Sequence, residues 1–245
     1  MLNDSYLVGD FSLAAYPTEV IEAFKMVSTA TLATVLLKKG LRNIWLRGPF
    51  PLSGNQSRAV GPAFTLRFIP AREDLATPAS WASPTSTRNA IEQMPEGCIA
   101  VVAADGCSDA GVFGDILCQR MKQRNVAAMI TDGVVRDLGG VLETGLGVWA
   151  AGTSAPPSVA GLTFVGWQDP VGCGGVAIVP DDLVVADQDG AVVVPANLVS
   201  EVLDIAREQE YLEEWILNEV RGGASLPGLY PPNEATMRQY ARSKK

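Results

Sequence analysis

The segment Ala110 to Asp137, AGVFGDILCQRMKQRNVAAMITDGVVRD, gathers the residue types best able to do chemistry. It opens on Gly111, Val112, Phe113, Gly114, Asp115, Ile116 and Leu117, a glycine-bearing turn feeding a predicted helix. The first N–H groups of a helix have no internal partner and point outward. With the helix dipole they favour an anion by about 0.3–1 kcal/mol per contact. Thr131-Asp132-Gly133 follows an apolar run and turns at a strand's carboxyl end, where ligands collect in α/β sheets. Arg136-Asp137 puts a guanidinium beside a carboxylate, a pair that can hold an anionic substrate and a divalent cation side by side. Alone, each feature has a plainer reading: a helix start capped by Asp115, a strand-to-turn Asp-Gly, a surface ion pair. Together they fit one arrangement, in which Arg136 and the backbone of Gly114, Asp115, Ile116 and Leu117 clamp a carboxylate-bearing substrate. A Mg²⁺-like ion then sits on Asp137, with Asp115 close by.

The elements that must position these residues follow from pattern. Cys98 to Ala103 and Val126 to Thr131 read as buried strands, with a helix over Gly114 to Arg124 between them carrying Ile116, Leu117 and Met121 on one face. A short helix over Asp137 to Glu143 and a third strand over Gly147 to Ala151 complete a parallel βαβ pattern. Both chemistry-bearing segments thereby fall at the carboxyl ends of adjacent strands. Upstream, residues 17 to 38 read as helical, 41 to 60 as loop with short strands, Ala63 to Ile69 as a strand and Thr87 to Met94 as a helix. Downstream, β-runs at Thr163 to Val165, Gly175 to Val179, Leu183 to Asp187 and Ala191 to Val194 are punctuated by Asp-rich turns. A long amphipathic helix runs from about Pro195 to Arg221. The remaining 222–245 reads as a Gly/Pro-rich tail with a solvated basic end, Arg238 to Lys245. The whole chain, 1–245, is expected to be one domain, its long helix and tail packing on a neighbouring subunit.

Composition excludes much else. The chain has 245 residues, 47% hydrophobic, which rules out disorder. The net charge of -8 argues against nucleic acid or an anionic membrane as partner. There is no histidine, so Ser-His-Asp and Cys-His catalysis and all His-ligated metal sites are out. Any metal must be held by oxygen or cysteine. Cys98, Cys107, Cys118 and Cys173 form no C-x-x-C pair and read as small buried thiols. The start, MLNDSYLVGDF, lacks the basic region and apolar run of a signal peptide, so a cytoplasmic location is expected. Two G-x-G-x-x-A matches, at Gly145 and Gly172, lack the strand-before, helix-after context of dinucleotide binding. Asp181, Asp182, Asp187 and Asp189 read as turn residues rather than a calcium loop, lacking its spacing.

The spacing Asp115, twenty residues, Arg136-Asp137 resembles the D-x20-R-D motif of the class II 4-hydroxy-4-methyl-2-oxoglutarate/4-carboxy-4-hydroxy-2-oxoadipate aldolases, which share a fold with the regulator of ribonuclease activity A. Gly61-Pro62-Ala63-Phe64-Thr65, Thr131 to Asp137 and Asp182 to Gly190 are similar to the family's other signature stretches. The likeness runs over roughly residues 20 to 215. It implies a mixed α/β fold, a three-layer ββα swivelling-type domain with flanking helices, assembled as a homotrimer or hexamer. It also implies a small 2-oxo acid substrate held by the amides of Gly114 to Leu117 and by Arg136. Asp137 would bind a divalent cation, Mg²⁺ or Mn²⁺, and Asp115 would orient a water on that metal for proton transfer. A Glu of a neighbouring subunit completes the site, with Glu210, Glu213 and Glu214 as the candidates here. Residues 41–60 and 70–90, which would form walls of the substrate pocket, depart from the family pattern.

The implied reaction is retro-aldol cleavage of a 4-hydroxy-2-oxo di- or tricarboxylic acid to pyruvate and a second oxo acid. The same pyruvate enolate forms when oxaloacetate loses CO₂, so oxaloacetate decarboxylation is an expected side activity. Another enolate-forming activity on a 2-oxo acid is a near neighbour of this reading. The alternative of another class is a non-catalytic regulator that binds and inhibits an RNA-processing ribonuclease. Fold alone does not separate the two.

Overall fold

The computed structural model describes residues 16–54 and 56–244. The start read for targeting and the final Lys245 lie outside them. Helices α1 (Thr18–Lys25) and α2 (Thr29–Lys38) occupy the stretch read as helical, with a break between them. The break has a local cause. Ser28 is extended and caps α2, its side chain accepting the Thr31 N–H at 3.1 Å. The N–H groups of Ser28 and Thr29 go instead to the carboxylates of Glu210 and Asp187, at 2.6 and 2.9 Å.

The parallel centre is built as expected. Strands β2 (Ala59–Pro70), β3 (Ile99–Ala103), β4 (Ala128–Thr131) and β6 (Gly147–Ala150) lie side by side and parallel. The short β1 (Phe50–Pro51) borders β6. On the far side, β11 (Leu183–Asp187) and β12 (Gly190–Val194) extend the same sheet antiparallel, and β8 (Leu162–Trp167) joins the second half of β2. Strand β3 is buried at every residue, as a doubly covered parallel strand must be. Ala100 and Val102 pack toward helices α3 (Thr87–Gln93), α4 (Asp115–Gln123) and α5 (Leu138–Glu143). Ile99, Val101 and Ala103 pack the opposite way, against a hairpin the sequence pattern shows only in part, β9 (Val171–Cys173) with β10 (Val176–Ile178). The sheet curls so that β11 and β12 share this second core with β3, β4 and β6 around the fully buried Trp149. Two β layers and one helical layer result, the mixed α/β architecture expected.

A third core lies outside the β11–β12 ribbon, covered by α1, α2 and the first half of the 23-residue α6 (Val199–Arg221). The tail departs from expectation. It carries a helix, α7 (Glu234–Ser243), capped by Asn233 and packed on the second half of α6 of its own chain. Tyr240, placed in the basic stretch read as solvated, is buried with its ring 5.6 Å from that of Trp215. The helix over 115–123 also faces differently. Its buried residues are Cys118 and Met121, while Ile116 is 78% exposed.

Asp187 is more than a turn residue. Its carboxylate accepts the Thr29 N–H, the Thr29 hydroxyl at 2.6 Å and the Asp189 N–H at 3.0 Å, tying α2 to the β11–β12 hairpin. Unpaired buried donors cost roughly 1–3 kcal/mol each. Asp187→Ala is therefore expected to cost about 3 kcal/mol of stability, read as a lower urea midpoint at unchanged slope. Cys98, Cys118 and Cys173 are buried as expected, and burial pushes the Cys98 and Cys118 thiols up to about 12.

Candidate active site

The chain leaves β3 and wanders to Gly111 before α4 begins, then leaves β4 and runs through the two-residue β5 (Val134–Val135) to Arg136. Backbone bonds join the two passages: Val112 N–H to the Val134 carbonyl at 2.8 Å and Arg136 N–H to the Phe113 carbonyl at 3.0 Å. Strand β7 (Gly152–Thr153) pairs with β5 from the other side. The predicted segments thus meet at the carboxyl ends of adjacent strands and line one cleft of about 260 Å³.

Missing side chains make this meeting feasible. A Cβ on Gly111 would lie 2.7 Å from the Arg136 nitrogen, and one on Gly114 would lie 2.6 Å from Asp137 Oδ2. A Cβ on Gly140, in α5, would lie 2.7 Å from the Asp115 Cβ. Gly114 ends the turn as the N-cap of α4. The Asp115 carboxylate folds back so that Oδ1 accepts the Ile116 N–H at 2.7 Å. The N–H groups of Asp115 and Leu117 find no acceptor among the described residues.

Asp137 caps α5 in the left-handed region, φ 54°, ψ 45°, a conformation unusual outside glycine and tolerated best by Asn and Asp. Its Oδ2 accepts from Arg136 Nε at 3.1 Å, and both side chains remain partly open to solvent at 35% and 47%. Asp115, Arg136 and Asp137 therefore stand together in one cleft with the backbone of Gly114, Ile116 and Leu117.

As a metal site the cleft offers oxygen only. No group of three or more Cys, Asp or Glu able to enclose an ion occurs among the described residues. Asp137 and Asp115 supply one or two carboxylates, which suits Mg²⁺ or Mn²⁺ keeping several waters and suits neither zinc nor copper. The space above Gly114, which a side chain would fill, leaves the Asp137 carboxylate accessible.

Other readings change. Asp132 does not line the cleft; it is buried and structural, accepting the Ala104 N–H at 2.7 Å and the Gly174 N–H at 3.0 Å. Glu210, Glu213 and Glu214 lie on a groove between α1 and α6, away from the cleft of their own chain. Glu210 is engaged by Ser28 and Glu213 by Gln209, whereas Glu214 is exposed with no partner among the described residues. Trp81, Thr87, Arg88, Pro157 and Ser158 also line the cleft. Their only sequence signal is that two of the three passages that carry them fall in or beside the stretch departing from the family pattern.

A larger cavity, about 730 Å³, sits at the opposite, amino ends of the strands, by Gly97, Ala127 and Gly147. Its cations are already engaged: Lys25 by Glu22, Arg58 by the Lys25 carbonyl, Lys122 by the Gly145 carbonyl. The smaller cleft has the convergent, accessible groups.

Residues 29–193 match the family described as RraA-like, Aldolase/RraA. Protein DlpA of Legionella pneumophila is 28% identical over 176 residues, 72% of this chain but only 28% of that longer protein. A protein of Halalkalibacterium halodurans, assigned provisionally as a 4-hydroxy-4-methyl-2-oxoglutarate aldolase, is 27% identical over 197 residues, 80% of this chain and 86% of it. Among solved structures, Streptomyces coelicolor RraAS2, described as an unusual member of the RNase ES inhibitor RraA protein family, is 37% identical with a TM-score of 0.73. That match covers 82% of this chain and 96% of RraAS2.

Proposed function

The chain belongs to the RraA-like family, and on that premise we propose that it is a divalent-metal-dependent carbon–carbon lyase that forms pyruvate from 4-hydroxy-2-oxo acids. The observation carrying this reading is the joint presence of Asp115, Arg136 and Asp137 in one cleft floored by glycine. The provisional aldolase assignment of the Halalkalibacterium relative supports it.

In this reading Arg136 pairs with the substrate carboxylate, and the N–H groups at the start of α4 receive its oxygens. A divalent cation held by Asp137 would supply Lewis-acid stabilisation of the enolate charge. Arg136 adds fixed positive charge that needs no reorganisation as the enolate forms. Asp115, anchored through Oδ1, keeps Oδ2 for proton traffic. Through water it accepts the proton of the 4-hydroxyl as the C3–C4 bond breaks, and the bonding pair passes to the pyruvate enolate. The proton then returns to C3, leaving pyruvate and a second oxo acid. Oxaloacetate reaches the same enolate by losing CO₂. Of the three candidate glutamates Glu210, Glu213 and Glu214, Glu214 has the unengaged carboxylate a neighbouring subunit's cleft would need in a homotrimer or hexamer.

The test is pyruvate release from 4-hydroxy-4-methyl-2-oxoglutarate and from oxaloacetate with Mg²⁺, then with EDTA. Release that EDTA abolishes and that exceeds free-metal decarboxylation is the expected result. No release from either substrate would discard the lyase. The second reading, a regulator binding an RNA-processing ribonuclease, draws on the 37% identity to RraAS2. It predicts inhibition of a ribonuclease E-type enzyme that survives loss of Asp137.

A further inference from the structure

Arg88 differs from the other cleft cation. Arg136 is bonded to Asp137, whereas Arg88 makes no ion pair or hydrogen bond among the described residues. Its guanidinium lies 5.1 Å over the ring of Trp81, and both residues line the cleft that holds Arg136 and Asp137. Trp81 comes from a 3-10 turn, Pro78–Ala82, and Arg88 from the first turn of α3. Trp81, Thr87 and Ser158 are shared with a second cavity of about 420 Å³, walled by Phe68, Leu162 and Phe164. The cleft therefore continues past the pyruvyl clamp toward a wall that carries an unpaired positive charge.

We propose that Arg88, steadied on Trp81, is a second anion subsite that reads the distal carboxylate of a dicarboxylic 2-oxo acid. The proposal rests on the reading of Arg136 as the holder of the pyruvyl carboxylate. A guanidinium held over a ring by this cation–π contact spends no N–H group on it and keeps its donor edge available. That edge matches a carboxylate with two parallel bonds. A lysine, as a point charge without a stacking face, would do this less well. The arrangement makes 70–90 a specificity segment: substrates ending in a carboxylate are preferred over those ending in a methyl group.

The test uses non-cleavable probes of equal chain length, 2-oxoglutarate and 2-oxopentanoate, titrated calorimetrically with Mg²⁺ present, with pyruvate as a control. Wild-type protein is expected to bind 2-oxoglutarate about tenfold or more tightly than 2-oxopentanoate, the scale of a charge-assisted hydrogen bond. Arg88→Met should lose that preference while binding pyruvate and 2-oxopentanoate as before. Arg88→Lys should restore part of it, and Trp81→Ala should weaken it. A preference that survives in Arg88→Met, or none in wild type, overturns the subsite and leaves the pyruvyl site standing. Binding of none of the probes, pyruvate included, overturns the proposed function and the subsite together.

Discussion

Arg136→Ala is expected to lower kcat/KM for metal-dependent pyruvate release by about 10²–10³-fold, the range seen when one preorganised charge-stabilising donor is removed. The effect should fall on both kcat and KM, because the guanidinium meets the substrate carboxylate before reaction and the enolate during it. Stability should hardly change, since the side chain is about one-third exposed and its one hydrogen bond among the described residues is to the neighbouring Asp137. Arg136→Lys should recover little. The Nε–H that bonds Asp137 orients a planar fork, and an ammonium cannot reproduce both the bond and the fork. Steady-state kinetics beside a thermal melt check this. Wild-type turnover in a folded Arg136→Ala protein would remove the cleft from consideration as the reaction site.

Asp137→Asn is expected to abolish the stimulation by Mg²⁺ or Mn²⁺ and to leave residual turnover insensitive to EDTA. Lewis-acid stabilisation is worth several kcal/mol, so the loss in kcat should be on the order of a thousandfold. Asparagine is the informative replacement. It is nearly isosteric with aspartate and tolerates the left-handed backbone that residue 137 adopts, φ 54°, so the fold should survive. What disappears is the charge. Titration of Mn²⁺ binding by its paramagnetic effect on water relaxation provides a readout independent of turnover. Unchanged Mn²⁺ affinity would place the metal elsewhere.

The parallel centre and the three cleft residues were legible in the sequence because their signals are local. Ile99 to Ala103 is apolar throughout, and the glycines around Asp115 and Arg136 mark turns at strand ends. What was not legible depends on partners distant in the chain. Ser28 is a local cap for the second helix, but the acceptors that also hold the break, Glu210 and Asp187, lie far downstream. Asp132 looked available beside a turn, but Ala104 and Gly174 supply the donors that bury it. The outward turn of Ile116 follows from Cys118 and Met121 taking the core face of α4. The last helix, α7, is short and polar, and Tyr240 finds its place beside Trp215 in a cluster with Leu212, Ile216 and Leu229. Trp81 and Arg88 reach the cleft through folding that no periodicity encodes.

Strand β2 has a consequence for how the chain is made. Its first half pairs with Leu183–Ala186 and its second half with β8, while β3 occupies the opposite edge. On the ribosome, therefore, Ala59–Pro70 emerges long before the partners of one whole edge exist. Twelve residues, eight of them buried in succession in the native state, wait as an open hydrophobic edge until β8 and β11 arrive. Such an edge is a template for pairing with other chains, and its closure is governed by long-range contacts that form slowly. Truncations that stop before β11 should consequently be found in the insoluble fraction, even though they retain every residue of the cleft.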